Sequence, residues 1–307
     1  MTNIIKASIL RGLGTRVGSG GSAFAPFTLT AHEWWRFKAA GCAGNTNWEM
    51  GEIEIAASAG GVDQCTGGTA SASSNSASAG NAFDNSLSTG WGSTFSLNSW
   101  IVYHFTAPVV AGEVRLTRQA SGASSTPIGL ELEYSDDGTN WFHFCSFVDT
   151  TWTNSQTRTW TFSTSLANSS TTWRNVTFLN TNSSNGHIDI AEAAFASSAG
   201  GSNLATGGTP SYNGIDGGTY PATAAFDGNT ATWGRWTNTN RCWLLYTFPS
   251  AVGIKEMRIT GQTVGGTGNP QDLKLQLPDG SGIWRTVAQV GGYSAWSNSE
   301  TKTVSVS

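Results

Sequence analysis

Apolar and polar residues alternate in short runs along much of the chain. Glu131-Leu132-Glu133-Tyr134 and Leu273-Lys274-Leu275-Gln276-Leu277 put Leu and Tyr on one side and charged or amide groups on the other, the period of a β-strand with two unlike faces. Each run stops at a tight turn. Ser135-Asp136-Asp137-Gly138 and Pro278-Asp279-Gly280 carry Asp-Gly steps that tolerate positive φ, and the next strand restarts at Trp141 or Trp284. Ile101 to Phe105, Val114 to Thr117, Arg158 to Phe162 and Met257 to Thr260 supply further strands. No amphipathic pattern of helical length competes, and short strands with frequent turn signals predict an antiparallel sandwich.

The pattern occurs twice. Ser-Ala-Gly-Gly at 58 and 198, and Thr-Gly-Gly-Thr at 66 and 206, recur 140 residues apart. Ala82-Phe83-Asp84 matches Ala225-Phe226-Asp227, and Trp100 to Phe105 matches Trp243 to Phe248, both at a spacing of 143. Arg115 with Arg258, Thr117 with Thr260, Pro127 with Pro270 and Trp141 with Trp284 keep that spacing, while Glu52 meets Glu192 at 140. A period this long predicts a duplicated domain and not a solenoid. The expected division is an arm over 1–28, one sandwich over 29–165 and a second over 171–307. The arm has no counterpart elsewhere; Lys6, Arg11 and Arg16 among five glycines suit either a flexible tail or a segment ordered by a partner.

Composition narrows the function. Of 307 residues only 12% are charged, with net charge −4, against about 25% charged in an ordinary domain. Sixteen Lys and Arg diluted among 20 acids supply no polyanion-binding field, so nucleic acid is not an expected partner. Fourteen Trp, 14 Phe and six Tyr exclude a chain that stays unfolded. No run of 18 apolar residues is present, so no membrane insertion is expected. Met1 to Leu10, interrupted by Lys6 and a serine, makes a poor signal peptide. Cys42, Cys65, Cys145 and Cys242 have no C-x-x-C spacing and are expected to be mostly free thiols, a Cys42–Cys65 bridge and a zinc site being the other readings.

Each copy resembles the discoidin, or coagulation factor 5/8 type C, superfamily of galactose-binding-like jelly-roll domains, which includes many carbohydrate-binding modules. The residues that carry this are Ala225-Phe226-Asp227-Gly228-Asn229 with Thr232-Trp233, then Trp243 to Phe248, then Asp279-Gly280 before Trp284. The first copy has Ala82-Phe83-Asp84-Asn85-Ser86 with Thr89 and Trp91, then Trp100 to Phe105, then Asp137-Gly138 before Trp141. Trp35-Arg36-Phe37 and Glu52-Ile53-Glu54-Ile55 look like the family's closing strands placed ahead of the Asp-containing loop, a permuted or strand-shifted order. The resemblance implies an all-β fold of two tandem galactose-binding-like jelly-roll β-sandwiches with an N-terminal arm.

It also implies a structural calcium ion in the Asp-containing loop. Carried over, the ligands are Asp227, Asn229, Thr232 and Glu192 in the second copy, and Asp84, Ser86, Thr89 and Glu52 in the first. Carboxylate, carbonyl and hydroxyl oxygens in one tight loop are the hard donors calcium takes. Asn85 in place of the family's Gly, and Ser86 in place of Asn, would weaken the first site. The competing reading is an Asx turn in which the aspartate caps backbone amides.

Matching aromatics, Trp91 with Trp233, Trp100 with Trp243, Trp141 with Trp284 and Tyr103 with Tyr246, are expected in the core. Function is sought where the copies differ. Gly234 to Arg241 faces Ser93 to Ser99, and Arg235, Trp236, Asn238 and Arg241 offer an aromatic face with flanking donors, the composition a glycan site needs; the other reading has Trp236 simply covering the loop. Phe95 and Asn98 make the first copy the weaker candidate.

Catalysis is not expected. His32, His104, His143 and His187 sit in unrelated contexts, Asp136, Asp137 and Asp279 belong to hairpin turns, and no carboxylate pair points to a glycosidase cleft. Gly18-Ser19-Gly20-Gly21 lacks the setting of a phosphate loop. The function expected is a non-catalytic carbohydrate-binding adhesion protein. Similar repeats in phage tail fibres and other virion surface proteins imply a bacteriophage virion component, assembled in the host cytoplasm. On that reading its partners are host cell-surface glycans, and other virion proteins through the arm. A structural decoration protein without glycan binding, or a secreted or cell-surface bacterial lectin, are the alternatives. Strand edges and an arm could support a homo-oligomer, though no heptad repeat specifies one.

Overall fold

The computed structural model describes residues 26–43, 47–94, 98–120, 126–148, 151–178, 187–213, 219–236, 241–262, 268–280, 282–293 and 296–306. In the first half of the chain the strands are β1 (Phe27–Thr28), β2 (Ala31–Ala43), β3 (Glu49–Ala56), β4 (Thr69–Ala72), β5 (Trp91–Gly92), β6 (Ser99–Val110), β7 (Glu113–Arg118), β8 (Thr126–Ser135), β9 (Phe142–Phe147), β10 (Thr157–Thr161) and β11 (Ser165–Leu166). The second half has β12 (Ser170–Phe178), β13 (Ile188–Ile190), β14 (Glu192–Ala196), β15 (Thr209–Tyr212), β16 (Gly234–Trp236), β17 (Arg241–Val252), β18 (Glu256–Thr260), β19 (Leu273–Pro278), β20 (Ile283–Val290) and β21 (Thr301–Ser305). The fold is all-β, a set of sandwiched sheets with two short 3-10 turns, Ser76–Ala82 and Ala222–Phe226, among the described residues.

Ten strands form one antiparallel sheet in the order β15-β17-β12-β19-β20-β9-β8-β2-β6-β4. Read outward from its centre, the order pairs strands from matching sequence positions: β9 with β20, β8 with β19, β2 with β12, β6 with β17, β4 with β15. The central strands join edge to edge, Ile283 opposite Phe147, Trp284 opposite Ser146 and Arg285 opposite Cys145. An antiparallel ladder between equivalent strands is what a pseudo-twofold axis produces. On the inner face, β10-β7-β3-β5 covers the first half, and β14-β18-β21 with the β13-β16 pair covers the second. Strand alternation sends Trp35, Phe37, Ile101 and Leu132 into one core and Trp173, Leu244, Ile259 and Leu275 into the other.

The repeated glycine motifs have a steric cause. A Cβ on Gly68 would lie 2.2 Å from the His104 carbonyl oxygen and 2.6 Å from the Tyr103 ring, and Gly208 repeats both distances against Thr247 and Tyr246. The close approach lets the Gly68 and Gly208 amides donate to the buried Tyr103 and Tyr246 hydroxyls, each at 2.9 Å. In the Ser-Ala-Gly-Gly motifs, Gly60 donates to Glu113 at 3.1 Å and Gly200 donates to Glu256 at 3.1 Å, both glycines having positive φ.

Several expectations change. Trp100, Trp141, Trp243 and Trp284 are half-buried on the sheet face opposite the core. They flank two arginines: the Arg36 guanidinium lies 3.8 Å from the Trp141 ring centre and 5.7 Å from that of Trp100, and Arg174 lies 4.2 Å from Trp284 and 6.0 Å from Trp243. Trp100 and Trp243 sit there because their chain neighbours Ile101 and Leu244 take the core side. The polar side of β8 and β19 is itself buried, with Glu131, Glu133, Lys274 and Gln276 all enclosed. Asp279 is no simple turn residue: buried, it accepts from the Ser163 amide and hydroxyl and from Arg285 Nη1 at 3.0 Å, tying the strand connection to β20. Phe27 and Thr28, assigned to the arm, form β1 against Leu166 and Ser165. Residues 1–25 lie outside the described residues. Cys65, Cys145 and Cys242 are buried, and Cys65 is a free thiol, so the Cys42–Cys65 bridge is not formed.

Candidate functional site

The halves differ most at two equivalent ladders. In the first, Met50 faces Trp91 and Glu49 faces Gly92. In the second, Ile190 faces Gly234, Asp189 faces Arg235 and Ile188 faces Trp236. Gly234 therefore stands where the first half has Trp91, and Trp236 stands where it has Ser93, whose hydroxyl accepts from the Trp48 amide at 3.0 Å. A Cβ on Gly234 would meet the Trp236 ring at 3.1 Å. The Trp236 ring thus lies over the glycine and fills the space that Trp91 fills from its own position.

This overturns Trp236 as a sugar platform. It is 1% exposed, meets Tyr212 edge to face at 5.7 Å and donates its Nε1–H to the Trp243 carbonyl at 3.1 Å. The two-residue period of β16 sends Gly234 and Trp236 inward and leaves Arg235 pointing away. Trp233 is likewise not the partner of Trp91. It stacks on Tyr220, ring centres 5.2 Å apart and planes 18° from parallel.

Arg235 is fixed on this aromatic pair. Its Nε donates to Asp189 Oδ1 at 2.7 Å and its Nη2 to Oδ2 at 3.1 Å, a bidentate fork that sets the plane of the guanidinium. The guanidinium carbon lies 4.4 Å from the Tyr220 ring centre. Asp189 is 1% exposed, with His187 Nε2 3.3 Å from its Oδ2. Behind it the Gly268 carbonyl accepts from the Asp189 amide at 2.7 Å, and a Cβ at Gly268 would come within 2.8 Å of Oδ2. The result is a half-buried aromatic ledge, Tyr220 with Trp233, edged by a cation whose direction is locked from below. The apolar C–H face of a pyranose stacks on such a ledge while fixed N–H donors meet its hydroxyls.

Of the other expected glycan residues, Phe95 and Asn238 lie outside the described residues. Arg241 opens β17 opposite Phe178, but its side chain is not among those described. Asn98 is an exposed turn residue with φ of 56° ahead of β6. In the first half the position equivalent to Arg235 is Gly92, so that ladder presents no cation there. Tyr220, Trp233, Asp189 and His187 were missed. The signal for Asp189 is local: an acid between two isoleucines in Ile188-Asp189-Ile190, facing the arginine between inward positions in Gly234-Arg235-Trp236.

The expected calcium ligands come together in both loops, and so does the Asx turn. Asp84 Oδ1 accepts from the Ser86 amide at 2.9 Å, and Thr89 Oγ1 donates to Oδ2 at 2.8 Å. Glu52 shares the Ser86 amide at 3.0 Å. In the second half the Asn229 amide donates to Asp227 at 2.8 Å and Glu192 at 3.0 Å, and Thr232 Oγ1 to Asp227 at 2.7 Å. Asn85 adopts φ of 59° where Gly228 has 74°, so the asparagine reproduces the glycine's left-handed turn. Glu52 Oε1 is buried without a hydrogen-bond partner, and burial, with Asp84 beside it, raises its pKa to about 7. Burial raises Glu192 as well. No group of three or more His, Cys, Asp or Glu side chains is placed to hold a metal among the described residues. Each loop thus offers two carboxylates, and the remaining donors are hydroxyl and carbonyl oxygens, a set that fits calcium.

The histidines are less unrelated than expected, since each meets a carboxylate. His32 Nδ1 lies 2.9 Å from Asp136, His104 Nε2 4.0 Å from Glu33, His187 as above, and His143 contacts Glu131. Thr30 Oγ1, 2.7 Å from His32 Nε2, completes a hydroxyl–imidazole–carboxylate row. That row ties the start of β2 to the turn after β8, and burial against Tyr134 lowers the His32 pKa.

A family model of the F5/8 type C domain matches residues 67–193. The matched stretch begins beside β4 and ends in β14, so it takes the Asp84 loop from the first half and β12 to β14 from the second. Neither a curated protein nor a solved structure matches the chain.

Proposed function

We propose that the chain is a non-catalytic carbohydrate-binding protein whose second half holds a neutral saccharide on the Tyr220–Trp233 ledge, with Arg235 donating to ring hydroxyls. The match to the F5/8 type C domain, commonly a carbohydrate-binding module, supports the class of function. The observation that carries the site is the bidentate Arg235–Asp189 pair beneath a stacked aromatic pair. A buried carboxylate spent on orienting one surface arginine is preorganisation for a ligand. A glycan array probed with the intact chain and with Trp233→Ala tests the reading. Binding that falls at least about tenfold in the variant, roughly 1.4 kcal/mol, supports it; no glycan bound by the intact chain favours a structural decoration protein.

The finer reading is two tandem discoidin-like domains on a bacteriophage virion surface or tail fibre, docked through residues 1–28. It rests on the doubled strand order and on the family likeness. Deleting residues 1–25 should leave a folded protein that fails to join particles; normal incorporation would refute the docking role. Within this reading calcium is held by Asp227, Thr232, Glu192 and the Asn229 carbonyl, and by Asp84, Thr89, Glu52 and the Ser86 carbonyl. The ion would supply positive charge to the raised carboxylates and stiffen the loops.

A further inference from the structure

The pseudo-twofold axis at the centre of the large sheet is obeyed on one side and broken on the other. On the intact side Ile283, Trp284 and Arg285 pair with Phe147, Ser146 and Cys145, and the ladder is extended by the Val148 amide donating to the Gly282 carbonyl at 2.9 Å. Applying the 143-residue spacing, the mates of those pairs are Asn140 with Val290, Trp141 with Gln289, and Phe142 with Ala288. None of these forms a ladder pair among the described residues. The His143 amide instead donates to the Gln289 side-chain Oε1 at 3.0 Å, an amide satisfied by a side chain where strand pairing stops. The difference has a residue-level cause. Ile283 is 2% exposed and packs into the first core, whereas its equivalent Asn140 is exposed and bonded to Asp137 at 2.6 Å. One side is plugged and the other stands open.

The open side is a cavity of about 490 Å³ between the two halves, lined among others by Glu133, Trp141, His143, Asp272, Lys274 and Gln289. Ligand pockets run from about 300 to 1,000 Å³ and favour domain junctions. Its charges are already matched: Lys274 pairs with Asp272 and Arg36 with Glu133, while His143 contacts Glu131. The His143 ring is also joined to the Thr286 hydroxyl, Nδ1 to Oγ1 at 2.6 Å. A pocket with many hydrogen-bonding groups, no net field and one indole edge suits an uncharged polyhydroxylated ligand over a phosphate or an amine.

We propose that this junction cavity is a second saccharide-binding site, for a neutral mono- or disaccharide, built by the break in the pseudo-twofold ladder. It shares a ligand class with the proposed function but none of its residues. The test is isothermal titration of the full chain with glucose, galactose, maltose, lactose and chitobiose. Two variants address the cavity: Gly291→Trp fills it from an exposed position, and Gln289→Ala removes one hydrogen-bonding group. Binding of at least one probe that survives Trp233→Ala and falls tenfold or more in both cavity variants, with unchanged melting temperatures, is the expected result. Binding lost in Trp233→Ala but untouched by both cavity variants overturns the cavity site and leaves the ledge standing. No binding of any probe overturns the cavity site as well.

Discussion

The two halves fill the same core volume from different chain positions, and the exchange decides which of them presents the proposed ledge. In the first half Trp91 supplies the indole, packed edge to face on Trp48 at 5.1 Å, and Gly92 takes the outward position beside it. In the second half Gly234 vacates the first place and Trp236 reaches back over it, leaving the outward position to Arg235. Core volume is conserved within the limits close packing allows, while the outward position passes from glycine to a clamped arginine. Similar trades run through the central sheet. Glu131 and Lys274 occupy matching positions near the axis, so two copies with the same residue would place like charges close together where this chain has opposite ones. The unlike residues at matching positions make the junction specific to this pairing of unlike halves.

The largest effect that can break this comparison is at the exchanged ring. Trp236→Ala should cost about 3–5 kcal/mol, the range for removing a buried aromatic, read as a lower urea midpoint. Trp233→Ala should stay within about 1 kcal/mol. Gly234→Trp in a Trp236→Ser background restores the first half's arrangement and should recover a large part of the loss, whereas Gly234→Trp alone should destabilise by overpacking. A double variant no more stable than Trp236→Ser would show that the two rings do not share one space.

A smaller effect separates the two Asp-containing loops. Glu52 has its folded pKa raised to about 7 from an ordinary 4.5, so the folded protein keeps a proton that the unfolded chain releases across that interval. Its contribution to stability is therefore present below about pH 4.5 and lost as pH rises through 7. The melting temperature should drift down by about a few degrees over that range. Glu52→Gln should reduce the drift, Glu192 supplying a further part in the same direction, and millimolar calcium should abolish it by stabilising the ionised carboxylates. A wild-type profile unchanged by calcium would refute the metal in that loop.

Much of this fold is legible in the sequence because its motifs recur and carry the same steric constraints twice. Thr-Gly-Gly-Thr recurs because Gly68 and Gly208 must pass within contact of a tyrosine ring and a carbonyl, and the tyrosines recur with them. The alternation in β8 and β19 marks two faces but not what lies on each, since Glu131 is enclosed by side chains distant in sequence, Ser146 and His143 of the neighbouring strand β9. The site was half legible. Arg235 stands out as charge in a charge-poor chain, yet matching by residue type pairs Trp233 with Trp91 and leaves Trp236 as the apparent partner of the arginine. Strand register, which no composition records, pairs Trp91 with Gly234 instead. The junction cavity left no mark at all, because it arises from a ladder that fails to form.

Hydrogen–deuterium exchange of the intact chain with and without the tightest glycan from the array tests the central claim, that the exchange confines the ledge site to the second half. Peptides covering 187–190, 219–221 and 233–236 should gain protection, and the equivalent peptides around 47–50 and 91–93 should not change. Equal protection of both ladders, or protection of the first alone, would contradict it.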